Sequence, residues 1–411
     1  MNFELFIAKR IIAGKKYKSS ISSPIIKIAT IAITLGIAIM LIAVSIGSGF
    51  QKKIRDKMSG FKGHIQVVNY DNNNSDISTV PVSKTQDFYP SFTDIKGIKN
   101  VQIYANKFGV IRTVSDFEGV ILKGVSDDYD FTFFEEYLKE GRLPNFKLDR
   151  NKEILISESI ANRLKLKLKD TIQVVFSVEK SKRPFAIRKP IIVGIYNTGF
   201  EQFDKTMLIG DIREVQRLNK WDENQVGGFE VLINDFDELQ TKGNEVYRSI
   251  GSTLNSSTIV DSYPLIFNWL NILDNNVWVI IGIMILVAGI NMVTALLVLI
   301  LEQVQMVGTL KALGSRNWSI RKIFLYNASY LILKGMLYGN IIGLAILFLQ
   351  KYGNIISLNP ENYYVSSVPV DIDIVAILLL NMGTLILCFL ILIIPSYIIT
   401  KIQPSKSIKF A

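Results

Sequence analysis

Four long apolar runs constrain this chain more than any other feature of it. A bilayer core of roughly 30 Å needs about 20 helical residues to cross it. Ile28–Gly47 (IATIAITLGIAIMLIAVSIG) meets that length without a charge, and so does Val277–Ile300. Ile372–Pro395 is interrupted only by Asp373, Asn381 and Thr384. Ile323–Leu349 contains Lys334, which in a span either snorkels or pairs inside a bundle. The runs lie near the two ends of the 411 residues, and the stretch 51–272 between the first two reads as a water-soluble domain. The first run is too long for a cleaved leader and lacks a small-residue cleavage site after it, so it reads as a signal anchor.

The formal net charge of +10 invites a nucleic-acid reading, and the distribution of charge removes it. Residues 51–272 hold 31 basic against 30 acidic side chains. The excess sits beside the apolar runs, in 1–24 (Lys9, Arg10, Lys15, Lys16, Lys18), in 301–322 (Lys311, Arg316, Arg321, Lys322) and in 401–411 (Lys401, Lys406, Lys409). Basic flanks mark the cytoplasmic side of a membrane protein. Both termini are therefore expected in the cytoplasm and the large domain outside. Lys52, Lys53, Arg55 and Lys57 would then be external, at the head of a domain long enough to translocate regardless of charge.

The expected fold is an α-helical membrane domain of four transmembrane helices, with a large mixed α/β periplasmic domain inserted between the first and second. The expected order is an amphipathic N-terminal segment (1–24), a first span (25–50), the external domain with its stalk (51–272), a second span (273–300), a cytoplasmic segment (301–322), a third span (323–349), an external loop (350–371), a fourth span (372–396) and a cytoplasmic tail (397–411). Residues 3–14 place Phe3, Phe6, Ile7 and Ile11 at helical spacing, which suits a helix lying on the membrane surface. Within the domain, His64–Val68, Val120–Gly124, Glu153–Ile156, Thr171–Phe176 and Pro190–Ile195 read as strands. Ser157–Lys165 and Asp211–Asn219 read as short helices, each opened by a capping residue. Asp71–Ser75 (DNNNS) reads as a turn or loop. Gly335, Gly339 and Gly343, four residues apart, form a smooth ridge for close helix packing.

No catalytic constellation is legible in the sequence. One histidine, His64, and one cysteine, Cys388, leave no multi-histidine or thiolate metal site and no disulfide. No GxxxxGK[ST] motif occurs, so ATP binding through a P-loop is excluded. Ser177–Lys180 and Ser319–Lys322 match S-x-x-K only as chance spacing, without companion motifs. No cofactor is expected on this chain.

Two segments look built for contact. Glu302–Gly314 (EQVQMVGTLKALG) puts Met306, Leu310 and Leu313 on one face, with Gly314 placed to end the helix. Ser177–Lys189 (SVEKSKRPFAIRK) lies between two strand-like runs and carries Lys180, Lys182, Arg183, Arg188 and Lys189 around Pro184 and Phe185. A basic hairpin with a Pro-Phe tip can be a docking surface or a plain solvated loop.

The order of helix, long external domain and three helices resembles the ABC-transporter permeases typified by MacB, FtsX and the lipoprotein-releasing LolC/LolE pair. Ser23–Phe50 looks like the first span and exit of the LolC/LolE family, and Gln51–Gly63 like its basic stalk. Gly194–Asp204 (GIYNTGFEQFD) resembles its external G-x-x-x-T-G-x-x-x-x-D segment, and Pro360–Val370 (PENYYVSSVPV) the loop before its last span. Glu302, Val307, Gly308, Leu310, Lys311 and the Ala312-Leu313-Gly314 ending resemble its coupling helix, although Gln305-Met306-Val307-Gly308 lacks the usual charged pair. Pro395, Pro404, Ser405 and Ile408 match its closing tail.

The resemblance implies a transport subunit of the inner membrane that is driven by a separate, LolD-like ATPase dimer holding ATP and Mg. That dimer would dock on Glu302, Met306, Val307, Leu310, Lys311, Leu313 and Gly314 of two permease subunits, identical or related. Lipoprotein cargo would leave the outer leaflet between the first and second spans, where Met40, Val44, Phe50, Val277, Met284 and Met292 are candidates to line a cavity for lipid and cargo. Lys180, Lys182, Arg183, Pro184, Phe185 and Arg188 fall where the family has a hook for its LolA-like periplasmic carrier. The alternative within the superfamily is a MacB- or FtsX-like mechanotransmission permease for efflux or for control of a cell-wall hydrolase. A fused ATPase of the MacB type is absent from the sequence.

Overall fold

A computed structural model describes residues 3–13, 22–72, 75–147, 152–178 and 184–402. The chain divides into two compact units: a helical one of Met1–Phe50, Trp269–Ile356 and Val368–Ala411, and an α/β one of Gln51–Asn268 and Ser357–Ser367.

The helical unit holds the apolar parts of four long helices, Ser22–Lys62, Pro264–Glu302, Asn317–Gly353 and Ile374–Ser396, each long and apolar enough to cross a membrane. The helices outrun the apolar stretches because hydropathy ends where charge begins, whereas a helix ends at a cap. The third starts after Arg316 in extended backbone and stops at Asn354 in the left-handed region (φ 44°). Lipid tails are as apolar as leucine, so these helices adhere by close packing and polar contacts rather than by a hydrophobic drive. The glycine ridge supplies the packing between the third helix and the first. A Cβ on Gly339 would stand 2.7 Å from the Thr34 carbonyl oxygen and from Ile37 Cβ, and one on Gly335 2.8 Å from Ile33. The third and fourth helices share a reciprocal amide pair, in which Asn340 Nδ2 donates to Asn381 Oδ1 (2.7 Å) and Asn381 Nδ2 to Asn340 Oδ1 (3.0 Å). Near their other ends, Arg321 donates to Ser396 Oγ and to the Ile393 carbonyl. The N-terminal helix Phe3–Ala13 packs on the third helix, where Ser319 Oγ donates to Glu4. Cys388 is fully buried in this core as a small apolar side chain. Lys334 lies on an exposed face of the third helix.

In the α/β unit the strands are β1 (Ile65–Asn69), β2 (Val82–Ser83), β3 (Ile98–Arg112), β4 (Phe117–Val125), β5 (Leu138–Gly141), β6 (Glu153–Ser157) and β7 (Gln173–Ser177). They continue as β8 (Phe185–Arg188), β9 (Ile191–Tyr196), β10 (Met207–Asp211), β11 (Gln225–Val226), β12 (Gly228–Ile233) and β13 (Leu254–Thr258). The main sheet runs β13-β1-β12-β3-β4-β10-β6-β9-β5, with β7 paired to β3 and β8 to β7. It is mixed: β10 runs parallel to β4 and β6 to β9, while the long β3–β4 hairpin is antiparallel. The two helices expected from capping residues occur. Ser157 Oγ accepts from Ile160 N to open Glu158–Leu164, and Asp211 accepts from Arg213 N to open Ile212–Asn219. Asp71 and Asn72 form a 3-10 turn, and the rest of that expected loop reaches Asn73 and Asn74, outside the described residues.

Gly339→Ile should lower the melting temperature of the detergent-purified chain sharply, because the added side chain has backbone on its path. Gly383→Ala, where nothing lies within 4 Å, should leave it unchanged. Equal behaviour of the two variants would refute the ridge as a packing surface.

Candidate functional site

The first long helix carries a polar extension, Gln51–Lys62, beyond its apolar stretch, and this extension packs with the α/β unit. A helix end leaves up to four carbonyls without intrahelical partners. Here two of them are met by side chains from β4 and the loop after it: Lys123 Nζ donates to the Phe61 carbonyl (2.6 Å) and Tyr129 Oη to the Gly60 carbonyl (3.2 Å). Lys123 also bonds both carboxylate oxygens of Glu230, at 2.7 and 2.8 Å, and Gln102 donates to Glu230 as well. Lys123 and Glu230 are both fully buried. Burial pulls the Lys123 ammonium below its ordinary value, against the attraction of Glu230. Beside this pair, Lys62 Nζ lies 2.6 Å from Asp76, and Phe61 sits among Phe133, Phe134, Tyr196 and Phe203.

One turn earlier on the same extension, Lys57 enters a second buried cluster. Its Nζ donates to the Tyr364 carbonyl (3.1 Å). Tyr364 belongs to the short segment between the third and fourth long helices, and its ring stacks on Phe200 at 5.1 Å. Phe200 lies in the Gly194–Asp204 motif, where Asp204 accepts from Thr198 N, Thr198 Oγ1 and Gly199 N. Gly199 is needed at φ +66°, where a side chain would be strained. Lys205 pairs with Glu361 at 2.6 Å. Burial lowers Lys57 to about 8 and raises Asp204 to about 6, each offset in part by the opposite charge of the other. His64, the single histidine, is pulled down to about 4, chiefly by burial. Its Nδ1 accepts from Ile233 N and so ties the end of the first long helix to β12.

The helical unit binds the other part of the same inter-helix segment. Asp371 N donates to the Ser45 carbonyl of the first helix (3.0 Å). Gly49 lets the Pro369 backbone close in: a Cβ there would stand 2.6 Å from the Pro369 oxygen. Within the α/β unit the stalk, the Thr-Gly motif and the Tyr-Tyr part of the inter-helix segment are far apart in sequence, yet they meet through Lys57, Phe200 and Tyr364. The individual contacts, above all Lys57 to Tyr364 and Gly49 to Pro369, carried no signal in the sequence. Only the motifs that contain them did.

In the segment between the second and third long helices, Val304–Ala312 is a helix closed by a Schellman turn. Ser315 N donates to the Leu310 carbonyl and Gly314 N to that of Lys311, with Gly314 at φ +89°. Val307 is fully buried, and Met306 and Leu310 pack on the same core. Lys311 Nζ donates to the carbonyls of Ile399, Thr400 and Ile402 and holds the end of the last helix, Ile398–Lys401. The expected docking set therefore splits. Met306, Val307, Leu310 and Lys311 face inward, while Glu302, Leu313 and Gly314 are exposed, together with Thr309, Ala312 and Trp318, which the apolar stripe did not reveal.

Of the hairpin residues, Lys180, Lys182 and Arg183 lie outside the described residues. Pro184 is exposed, Phe185 is 66% exposed on β8, and Arg188 bonds Glu214 at 2.9 Å. Ile187 on β8 and Phe108 and Phe117 on β3 and β4 are also exposed. The pairing register puts Phe185 and Ile187 on one face with Val175, Phe108, Val110 and Phe117. This apolar sheet face was not foreseen, because it is assembled from two hairpins, β3–β4 and β7–β8, far apart in sequence. Among the cavity candidates, Met40 and Met292 are fully buried in the helical core, Phe50 packs edge-on against Trp269, and Val44, Val277 and Met284 are half-buried. Among the described residues, no group of three or more His, Cys, Asp or Glu side chains is placed to hold a metal ion.

Lys123→Met should destabilise the fold by about 3–5 kcal/mol, because it strands a buried carboxylate, and adding Glu230→Met should restore part of the loss, the Phe61 carbonyl staying without its donor. Thermal unfolding of both variants checks this, and an additive double mutant would contradict the pairing. Asp204 gives a pH signature. Its folded pKa of about 6 exceeds its ordinary 3.8, so the folded chain keeps a proton that the unfolded chain has released. Its contribution to stability should fall as pH rises from about 4 to about 6, by roughly 3 kcal/mol at most. The melting temperature of wild type relative to Asp204→Asn should drop across that window, and a constant difference would disprove the shift.

Two family models cover most of the chain. Residues 28–243 match the MacB-like periplasmic core domain and residues 278–404 the FtsX-like permease C-terminal region. The chain is 21% identical to the lipoprotein-releasing system transmembrane protein LolC of Neisseria meningitidis, over 100% of this chain and 99% of that one. It is 20% identical to LolE of Haemophilus influenzae, over 99% of each. Among solved structures, the periplasmic region of MacB from Actinobacillus actinomycetemcomitans aligns with 50% of this chain and 93% of its own, at 16% identity and a TM-score of 0.34. With more than half its length in the first of these models and most of the remainder in the second, the chain belongs to the FtsX/MacB-like permease family.

Proposed function

We propose that this protein is the permease subunit of an ABC transporter that extracts lipoproteins from the outer leaflet of the inner membrane and passes them to a periplasmic carrier. The observation that carries the reading is the end-to-end similarity to both LolC and LolE, whose names specify lipoprotein release. The chain is a multi-pass inner-membrane protein with its α/β unit in the periplasm and, by the placement of its basic residues, both termini in the cytoplasm.

A partner ATPase supplies the energy. Each acyl chain is held in a bilayer by about 0.8 kcal/mol per buried methylene, so extracting several chains works against tens of kcal/mol. The ATPase docks on the exposed side of Val304–Ala312, at Glu302, Thr309, Ala312, Leu313 and Gly314. Val307, Met306, Leu310 and Lys311 tie that helix to the membrane core, so that a push on its outer side is passed inward. The first helix then moves its polar extension, whose end is bonded to the sheet through Lys123 and to the inter-helix segment through Lys57. The carrier meets the hairpin of Lys180, Lys182, Arg183, Pro184, Phe185 and Arg188. The exposed Phe185 and Ile187 supply an apolar anchor of the kind that dominates interfaces. A second permease subunit, identical or related, completes the pathway, and Val44, Val277 and Met284 are its nearest candidates to touch lipid and cargo.

Proteoliposomes holding the chain, its partner ATPase and a lipid-anchored protein should release that protein to the carrier on adding ATP. Phe185→Ala should cut release at least tenfold with ATP hydrolysis intact, and Leu313→Asp should uncouple hydrolysis from the permease. ATP hydrolysis that responds to the permease without any release would replace this reading with an efflux or regulatory role of the MacB/FtsX kind.

A further inference from the structure

Six strands of the α/β unit close into a ring. The path β3-β4-β10-β6-β9 is continuous in the sheet, β7 pairs with β3, and the antiparallel bridge from Thr171 to Ile191 joins the start of β7 to β9. Ile172 N donates to the Pro190 carbonyl and Ile192 N to that of Asp170, which reinforces the closure. A closed barrel has an inside, and the register places Leu122, Leu208, Ile154, Val174 and Phe176 among the residues that face it. Each is at most 6% exposed. Gly109 faces the same side, where a Cβ would stand 2.6 Å from the Phe176 ring, so the aromatic can lie across the interior.

This interior opens into a cavity of about 610 Å³. That volume falls within the roughly 300–1,000 Å³ of small-molecule sites, and barrel mouths are a recurrent place for them. None of the buried side-chain atoms left without a hydrogen bond among the described residues belongs to the cavity wall. The floor of Leu122, Ile154, Val174, Phe176 and Leu208 is apolar, and Gln173 is the one uncharged polar side chain on the wall. A buried peptide would bring N–H and C=O groups that the floor does not satisfy, whereas an alkyl chain brings none. The rim is charged, and its carboxylates are already engaged: Glu153 by Arg142, Asp211 by Arg213, and Glu214 by Arg188 and Arg217. Lys152 and Lys189 are exposed there and make no ion pair among the described residues. The unbalanced charge at the mouth is positive.

We infer that this barrel mouth binds the alkyl chain of an anionic amphiphile, with the chain among Leu122, Ile154, Val174, Phe176 and Leu208 and the acidic head at Lys152 and Lys189. The site lies within the α/β unit and does not depend on what the transporter carries.

The test uses the full-length chain in nanodiscs and a palmitate analogue with a photoreactive diazirine at its chain end. After irradiation and digestion, label should appear on β7 and β10 peptides containing Val174, Phe176 or Leu208, and excess unmodified palmitate should remove it. Label on peptides from the four long apolar helices serves as the internal control for probe in the bilayer. Val174→Phe, which fills the cavity, should abolish the β7 and β10 label and leave the control. Lys152→Glu with Lys189→Glu, both on the surface, should reduce it at least fivefold, and a neutral hexadecanol probe should label as weakly as that variant. A labelled control with bare β7 and β10 peptides would overturn the site. Equal labelling by palmitate and hexadecanol, or no effect of the double charge reversal, would overturn the anionic ligand.

Discussion

The buried Lys123–Glu230 pair is the contact on which the α/β unit depends. An isolated ion pair in an apolar interior is weak evidence for stability, since desolvating two charges costs about as much as their attraction returns. This pair does something a leucine pair cannot. One lysine carries three donors, and here they reach both carboxylate oxygens and the Phe61 carbonyl at the end of the first long helix. A buried helix end with a bare carbonyl would be costly, and an apolar substitute would leave it so. The pair thus fixes where the helix stops and which strands, β4 and β12, it stops against.

The same logic recurs at the other end of the chain. Lys311 spends its three donors on the carbonyls of Ile399, Thr400 and Ile402, so one lysine again closes a helix end. Between these ends the membrane core uses a different chemistry. Backbones approach at Gly335, Gly339, Gly343 and Gly49, and the Asn340–Asn381 amides satisfy each other. Water-facing parts are held by charge and capping, and lipid-facing parts by close approach and paired amides, as the two solvents require.

The candidate sites were legible to different degrees. The Glu302–Gly314 segment was visible as an apolar stripe ended by glycine; Met306 and Leu310 of that stripe pack inward, and Leu313 is exposed. However, Val307, Met306 and Leu310 are apolar because they anchor the helix, so the exposed side is the less apolar one that the pattern passed over. The hairpin was visible as a run of bases around Pro184 and Phe185. The apolar face beside it was not, because Phe108 and Phe117 join Phe185 only through strand pairing. The buried charges were the least legible. Lys57 and Lys123 read as two more solvated bases in a nearly neutral domain until the structure showed each aimed at a carbonyl.

The sequence by itself determined what is local: four spans from their length and apolarity, the short helices from Ser157 and Asp211, and the Gly314 stop. Membership of the permease family was also legible, because its motifs are contiguous. Tertiary structure decided everything that joins distant segments. It set the strand order that closes β3, β4, β10, β6, β9 and β7 into a ring, the choice of Glu230 for Lys123, and the placement of Tyr364 over Lys57. The physical reason is that periodicity reports which face of an element is apolar and a cap reports where it ends. Neither says which partner, a hundred or more residues away, will satisfy a buried donor.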